Sequence, residues 1–271
     1  MALRIDPAHV TEIVREVAAA EIMPRFKKLG AGDIRHKGGK GDFATVADLE
    51  AERALAARLT ALLPGSVAVG EEGVAKEPRL IEAIGGAAPA WVIDPLDGTH
   101  NFAGSIARFC SIVALVAGGA TVAGWVHDPI GGGTVAAERG SGAWEAGRRC
   151  RVAAPVALEA MAGAIYSRTD LAAVAPDLAA SKKRYGNGAE RRCAGYEYLA
   201  LARGQLNFAM FSRLLPWDHA AGVLIHAEAG GWNACWDGTP YRPTRHEGGI
   251  LLAPDRASWD RLAGLLLAPK P

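Results

Sequence analysis

The stretch WVIDPLDGTHNF, residues 91–102, constrains the fold of this chain more than any other part of its sequence. An apolar run typical of a buried strand comes first, and Asp94 and Asp97 follow it three positions apart. Pro95 and Gly98 predict a sharp turn that brings both carboxylates to the carboxyl end of the strand, where α/β sheets commonly bind ligands. Carboxylates this close repel each other, and a hard cation with oxygen ligands relieves that repulsion. The stretch therefore favours a metal site over a turn in which both side chains only cap backbone amides.

The residues after Asp97 indicate an anion site beside the metal. Gly98 permits a close backbone approach, and Thr99 adds a hydroxyl at what we expect to be a helix N-terminus. Free amides and the positive end of a helix dipole there suit a phosphate group. The same turn is expected to expose the carbonyl of Leu96.

Three further segments offer carboxylates in comparable settings. Glu71 and Glu72 follow the strand-like run SVAV, Asp218 begins a long Ala/Gly-rich helix, and Asp48 lies near the start of another helix. Each alone has an ordinary explanation, because Asp at a helix start is usually a cap and a Glu pair after a strand is usually a solvated turn. These carboxylates indicate a metal site only when they are considered together with Asp94.

Composition bounds the remaining possibilities. The 271 residues are enough for one large unit or two packed domains, half of them are apolar, and the formal charge is +1. No basic excess points to nucleic acid, and no run of eighteen apolar residues predicts a membrane span. The N-terminal residues lack a signal-peptide pattern, so we expect a cytoplasmic protein. The scattered cysteines are expected to be reduced and mostly buried, rather than paired or bound to zinc.

The order of elements predicts a mixed fold. Asp6-Pro7 indicates a helix start, and a second helix is expected over ADLEAERALAARLTALL, ending at Pro64-Gly65. Short β-rich runs bounded by Gly and Pro follow, and strands and helices alternate from about residue 160. We expect two closely packed halves, residues 1–155 with most of the metal ligands and residues 156–271 with Asp218 and the specificity residues.

Four segments together resemble the inositol monophosphatase family of magnesium-dependent, lithium-sensitive phosphatases. They are GDFATVAD, GEEG, WVIDPLDGTHNF and PWDHAAGVLIHAEAGG, in this order over most of the chain. The resemblance implies an α+β fold, the layered αβαβα sandwich of the inositol monophosphatase and fructose-1,6-bisphosphatase type, and a homodimer.

The resemblance also implies a role for each matching residue. Two to three Mg²⁺ ions are expected in each active site. The expected metal ligands are Glu71, Asp94, the Leu96 carbonyl, Asp97 and Asp218. The expected phosphate-binding residues are Gly98 and Thr99, and the expected catalytic residues are Asp48, Thr99 and Glu72, with Asp48 and Thr99 orienting the attacking water.

The activity implied is a Mg²⁺-dependent phosphomonoesterase that hydrolyses a small phosphorylated metabolite, inositol-phosphate-like, by attack of metal-activated water. Histidinol-phosphate, sugar-phosphate and nucleotide 3′-phosphatase activities of the same superfamily are alternatives. A non-catalytic regulatory binding protein that keeps the fold is a third. Two other motifs fail on spacing: haloacid-dehalogenase phosphatases place their aspartates two apart, and an EF-hand loop starting at Asp94 would need Glu where Ser105 stands.

Substrate identity is less constrained. Inositol-specific members are expected to carry an acidic residue where this chain has Phe211, so Phe211→Glu should raise activity on inositol phosphate if the pocket otherwise fits. Arg192 and Gly195 match the family pattern, whereas Glu197 stands where small residues are typical. Glu197 could replace the missing acceptor, and Arg192 or Arg213 could bind a second anionic group. Ordinary surface or interface charges are the alternative for all three.

Overall fold

A computed structural model describes residues 5–36, 43–166 and 192–267 of the chain. Its α-helices are α1 (Pro7–Val17), α2 (Val46–Leu62), α3 (Glu71–Lys76), α4 (Thr99–Ala103), α5 (Ala194–Ala202), α6 (Pro216–Glu228) and α7 (Arg256–Leu266). A π-helical turn (Ala18–Ile22) and 3₁₀ segments (Met23–Arg25, Ala31–Asp33, Pro78–Gly85, Leu158–Ala160) complete the helical structure. Within these ranges no helix is both long enough and apolar enough to cross a membrane.

The strands form three sheets. The largest contains, in spatial order, β3 (Val67–Gly70), β4 (Ala90–Asp97), β5 (Cys110–Ala117), β6 (Ala120–His127), β7 (Thr134–Glu138), β8 (Gly142–Glu145) and β9 (Arg148–Arg149). The second contains β10 (Gly163–Tyr166), β11 (Phe208–Phe211), β13 (Ile250–Ala253) and β12 (Trp232–Cys235), and β1 (Ile34–His36) pairs with β2 (Phe43–Thr45). Only β3–β4 and β10–β11 are parallel among these described pairs.

Helices and sheets stack in five layers. α1 and α2 pack on one face of the seven-stranded sheet, and α5 and α6 pack on its other face. The opposite side of α5 and α6 meets the four-stranded sheet, whose far face is covered by α7. This is the αβαβα sandwich expected from the sequence. Because α5 and α6 contact both sheets, the two predicted halves share a core layer, and a boundary near residue 155 remains a prediction.

The helix signals in the N-terminal segment are confirmed. Asp6 caps α1 by accepting the Ala8 amide at 2.9 Å, and Pro7 is its first residue. α2 covers the predicted segment and ends before Pro64-Gly65. Leu55 and Leu59 of this helix are buried, whereas Leu49 and Leu62 are only half-buried.

Strand β4 is longer than the sequence predicted. The apolar run was expected to end at Ile93, but pairing with β5 continues to Asp97, with a register shift between Asp94 and Asp97. The strand is buried on both faces, with Trp91 and Ile93 against α1 and α2 and Val92 on the opposite face. A strand covered on both sides shows a continuous apolar run instead of an alternating one.

Helix α6, which carries Asp218, is held in position by its close packing on the seven-stranded sheet. At Gly124 on β6, a Cβ atom would lie 2.8 Å from the Ala221 Cα. Backbone atoms cannot move aside as a flexible side chain can. Helix α6 therefore packs this close to β6 only because residue 124 has no side chain.

We predict that Gly124→Ala destabilises the protein by about 1–3 kcal/mol, because the added methyl group overpacks the contact between β6 and α6. Chemical denaturation monitored by circular dichroism measures the change. Gly264→Ala in α7 is the matched control, since nothing lies within 4 Å of that Cβ position and the change should stabilise the helix by about 0.5–1 kcal/mol. Equal effects of both substitutions would contradict the packing argument.

Candidate metal centre

Three carboxylates from distant parts of the chain converge at the end of β4. Glu71, Asp94 and Asp218 each offer an oxygen, and these atoms lie within 4.8 Å of one another. Glu71 is the first residue of α3, Asp94 belongs to β4, and Asp218 is the third residue of α6. Asp94 is 2% exposed, while the other two are half-buried. The predicted convergence of these three segments is therefore present.

The electrostatics of this cluster call for a cation. Burial raises the pKa of Asp94 well above its ordinary value, and the negative charges of Glu71, Asp97, Asp218 and Asp48 raise it further. A buried group of like charges is costly unless it is protonated or neutralised by a counter-ion. All three donors are hard oxygen ligands, the set that suits Mg²⁺, Mn²⁺ or Ca²⁺. The residues present thus fit a divalent metal ion.

Asp97 lies beside the three clustered carboxylates, but one of its oxygens is already engaged. Its Oδ2 atom accepts the Gly195 amide at 2.6 Å and the Cys193 thiol at 3.0 Å. Burial raises its pKa to about 6, although these hydrogen bonds lower it. A Cβ at residue 195 would lie 2.6 Å from the Cys110 Cβ, so only glycine allows α5 to approach Asp97 this closely. Gly195 therefore helps to position the Asp97 carboxylate, and its expected contact with substrate stays a prediction.

The side chain of Asp48 joins two parts of the site. Its Oδ2 atom accepts the Thr45 amide at 2.8 Å and the Thr45 hydroxyl at 2.5 Å, as part of the capping box of α2. Its Oδ1 atom accepts the Thr99 hydroxyl at 3.0 Å. Burial raises the pKa of Asp48 to about 7, and the hydrogen bonds from Thr45 oppose that shift. The residue is both the expected cap and the expected partner of Thr99.

The turn after β4 is built from backbone geometry that glycine alone provides. Gly98 has φ 91°, and a Cβ there would lie 2.9 Å from the Arg108 carbonyl oxygen. The Asp94 Oδ1 atom accepts the Leu96 amide at 3.0 Å, and the Leu96 carbonyl lies 3.0 Å from the Thr99 hydroxyl. Gly98 is the N-cap of α4, so the amides at Gly98 and Thr99 lie at the start of a short helix, as the sequence suggested.

One acidic residue beside this centre, Glu52, was not predicted from the sequence. The backbone amides of Glu72 and Gly73 each donate to its carboxylate at 2.8 Å. Burial raises its pKa to about 7. Glu72 itself is 4% exposed and lies in the first turn of α3. The available signal was spacing: Glu52 lies four residues after Asp48, on the same face of α2.

The expected specificity residues do not share one environment. Arg192 is exposed, has φ 53°, and places its guanidinium 2.9 Å from the His100 Nε2 atom. Arg213 is also exposed, whereas Glu197 is fully buried within α5. Tyr196 donates its hydroxyl to Asp128 at 2.9 Å and packs partly against the core, as expected for a packing residue.

Phe211 is a core residue in this structure. It is 4% exposed and stacks on Tyr198, with ring centroids 5.6 Å apart and an interplanar angle of 17°. Its ring also meets His219 edge-on at 4.9 Å and Tyr166 at 5.6 Å. The sequence suggested that Phe211 is a pocket residue that cannot accept hydrogen bonds. In the structure Phe211 instead packs at the centre of an aromatic cluster that includes His219, the neighbour of Asp218.

All four cysteines are buried and none forms a disulfide, which confirms the expected burial. They are Cys110, Cys150, Cys193 and Cys235.

The fold is shared with a known family of proteins. A model of the inositol monophosphatase family matches residues 6–268, nearly the whole chain. The solved structure of the Thermotoga maritima IMPase superimposes with a TM-score of 0.81 at 26% identity, covering 95% of each chain. The chain belongs to the inositol monophosphatase family.

Curated relatives carry more than one functional name. The fructose-1,6-bisphosphatase/inositol-1-monophosphatase of Thermotoga maritima is 33% identical over 200 residues, 73% of each chain. The Nus factor SuhB of Pseudomonas aeruginosa is 35% identical over 222 residues, which cover 79% of this chain and 80% of that protein. Sequence similarity of this degree establishes the family and leaves the substrate open.

We predict that Mg²⁺ stabilises the protein more at pH 8 than at pH 6. Folding raises the pKa values of Asp48 and Glu52 to about 7 and of Asp97 to about 6, so the metal-free folded chain holds these protons more tightly than the unfolded chain. Their stabilising contribution is present below the ordinary carboxyl pKa values and is lost as pH rises through 6 to 7. A cation replaces that contribution at high pH, and protons compete with it at low pH.

Calorimetric melting temperatures with EDTA and with Mg²⁺ test this prediction. With Mg²⁺ at about 100 times its Kd, the increase at pH 8 should be about 5–10 °C. Asp260→Asn is the control, because Asp260 is exposed and pairs with Arg256 far from the centre. A Mg²⁺ effect that is equal at both pH values, or absent at both, would contradict the assignment.

Proposed function

We propose that this protein is a Mg²⁺-dependent phosphomonoesterase acting on a small phosphorylated metabolite. The observation that carries the proposal is the group formed by Glu71, Asp94 and Asp218, whose oxygens lie within 4.8 Å of one another beside the hydrogen-bonded pair of Asp48 and Thr99. A carboxylate cluster next to a polar turn at the start of a helix suits binding and cleavage of a phosphate ester.

The metal would be held by Glu71, Asp94 and Asp218, with Asp97 and the Leu96 carbonyl completing the oxygen set that family resemblance implies. When bound, divalent ions activate water and neutralise charge that develops on the phosphoryl oxygens. The amides at Gly98 and Thr99 would hold the phosphate against this centre, since they start a helix that carries no side-chain cap.

The chain's own contribution to water attack centres on Thr99. Its hydroxyl has one proton and two acceptors at 3.0 Å, Asp48 Oδ1 and the Leu96 carbonyl. When Asp48 is ionised, the hydroxyl can donate to it and use its own lone pair to accept a proton from a bound water. When Asp48 is protonated, the carboxylic acid can donate to Thr99 instead. This occupies one of the two lone pairs of the hydroxyl oxygen, and Asp48 can no longer take up the hydroxyl proton.

A non-catalytic role is the second candidate, since one relative is named as a Nus factor. The chain retains every carboxylate of the proposed metal set, and nothing in its chemistry requires a protein partner. The phosphatase proposal is therefore preferred. A homodimer, expected from the resemblance, and a cytoplasmic location are proposed along with it.

We predict that Asp94→Asn abolishes phosphate release, lowering kcat/KM by more than about 100-fold, the upper loss typical of residues that only support a metal ligand. Asparagine keeps the shape of the side chain and removes its charge. Circular dichroism should show an unchanged fold, because the substitution also removes the buried repulsion described above. Asp260→Asn should keep wild-type turnover, and unchanged turnover in Asp94→Asn would refute the metal assignment.

The decisive assay measures phosphate release from a panel of substrates with Mg²⁺ present. The panel contains inositol phosphates, histidinol phosphate, fructose 1,6-bisphosphate and adenosine 3′,5′-bisphosphate. We expect release from at least one of them, competition by Ca²⁺ and inhibition by Li⁺. No release from any member would favour the binding-protein alternative.

The position of Phe211 reverses the expectation for its replacement by glutamate. Phe211→Glu would bury a carboxylate among the rings of Tyr198, His219 and Tyr166. Burying a charge without a partner and deleting a core ring each cost about 3 kcal/mol or more. We therefore predict a marked loss of stability and lower activity on every substrate, measured by denaturation and by the panel assay. Phe211→Leu should retain more stability, and a stable Phe211→Glu variant with increased inositol phosphatase activity would contradict this prediction.

A further inference from the structure

The helix that begins with Glu71 is capped by a residue from another helix. The N-cap position of α3 is Gly70, which has no side chain, and no side-chain cap is formed from within the segment. The amides of Glu72 and Gly73 instead donate to the two carboxylate oxygens of Glu52, each at 2.8 Å. A helix start leaves four amides without partners in the helix, and Glu52 in α2 satisfies two of them.

The sequence of the turn makes room for this carboxylate. A Cβ at Gly70 would lie 2.1 Å from the carboxyl carbon of Glu52, and one at Gly73 would lie 3.4 Å from its Oε1 atom. Gly70 has φ −102°, which any residue can adopt, so the glycine is required by space and not by backbone conformation. Glycine is thus needed at position 70 because the Glu52 carboxylate occupies the space that a side chain would fill.

The position of Glu52 is electrostatically unfavourable without these amides. Its neighbours Glu71 and Glu72 carry the same charge, and burial disfavours its ionised form. Charge-assisted bonds from two backbone amides are the compensation that a buried carboxylate needs. A residue that served only to fill space between α2 and α3 would not need a carboxylate.

Two residues on one face of α2 therefore hold the two sides of the metal centre. Asp48 binds the hydroxyl of Thr99, next to the turn that follows β4. Glu52, one helical turn further, binds the amides at the start of α3. Both of its oxygens accept amides, so the geometry assigns it to holding backbone and not to ligating the ion.

We propose that Glu52 is a positioning residue, which fixes the first turn of α3 and thereby directs the Glu71 carboxylate toward Asp94 and Asp218. The proposal rests on the proposed function only in taking these three residues as metal ligands. Residues that orient metal ligands without touching the ion typically change metal affinity by about 10- to 100-fold. The expected signature is thus weaker metal binding with little change in turnover once metal saturates.

Glu52→Gln tests the proposal with minimal change in shape. The glutamine amide can accept one backbone N–H, but its NH₂ group faces the second N–H and cannot accept it. We expect the Kd for Mg²⁺, measured by titration calorimetry without substrate, to rise about 10- to 100-fold. The Mg²⁺ concentration for half-maximal activity should rise in parallel, while kcat at saturating Mg²⁺ changes little.

Glu50→Gln is the matched control. Glu50 lies on the same helix, its removal changes the charge by the same amount, and its partner is the exposed Arg53. We expect its Mg²⁺ affinity to equal that of the wild-type protein. An equal loss of affinity in both variants would overturn the positioning role, because it would reflect only the long-range charge of α2.

A second variant keeps the test valid if Glu52→Gln fails to fold. Gly70→Ala leaves Glu52 intact but places a methyl group where its carboxylate lies, so it should weaken Mg²⁺ binding in the same way. Mg²⁺ binding as tight as wild type in either folded variant would overturn the proposal. Failure of the proposed function would look different: the wild-type protein would bind Mg²⁺ and release no phosphate, while the comparison of Kd values would still stand.

Discussion

Repulsion among buried carboxylates is the interaction on which the rest of this structure depends. Glu71, Asp94 and Asp218 are held within 4.8 Å by elements that are distant in sequence, and nothing in their own chemistry favours this arrangement without a cation. The layers on both sides of the seven-stranded sheet must therefore supply the free energy that keeps these elements in place. Repulsion among these carboxylates lowers the stability of the folded chain, and burial of the large apolar core compensates for that loss.

The elements around the centre are fixed by contacts that admit little adjustment. β4 is covered on both faces, α6 approaches β6 to the depth that Gly124 allows, and α2 holds two loops through Asp48 and Glu52. The contact of α6 depends on a missing side chain, and those of α2 depend on carboxylates that accept hydrogen bonds from the Thr99 hydroxyl and from amides at the start of α3. Such contacts are specific in direction, whereas apolar packing alone tolerates substitution.

The sequence predicted those features whose cause is local. Asp6-Pro7, the helix start near Asp48 and the turn at Gly98 follow from backbone chemistry within a few residues, and the structure contains all three. The carboxylate cluster could be predicted because four motifs, separated along the chain, resemble those of a known family. The roles of Glu52 and Cys193 and the burial of Phe211 depend on contacts between different helices and strands, and no local pattern encodes which side chain fills such a space.

The residue after Asp218 carries no charge that could neutralise the carboxylates of the centre. His219 could have supplied a positive charge, yet burial lowers its pKa to about 4, so it is neutral near pH 7. Its Nδ1 atom lies 2.9 Å from the Tyr198 hydroxyl, and rings of Tyr198 and Phe211 surround it. An aromatic environment both excludes water and keeps the imidazole uncharged. The same cluster that makes Phe211 a core residue therefore leaves no positive charge on the residue that follows Asp218, and under the proposed function a metal ion would neutralise that carboxylate.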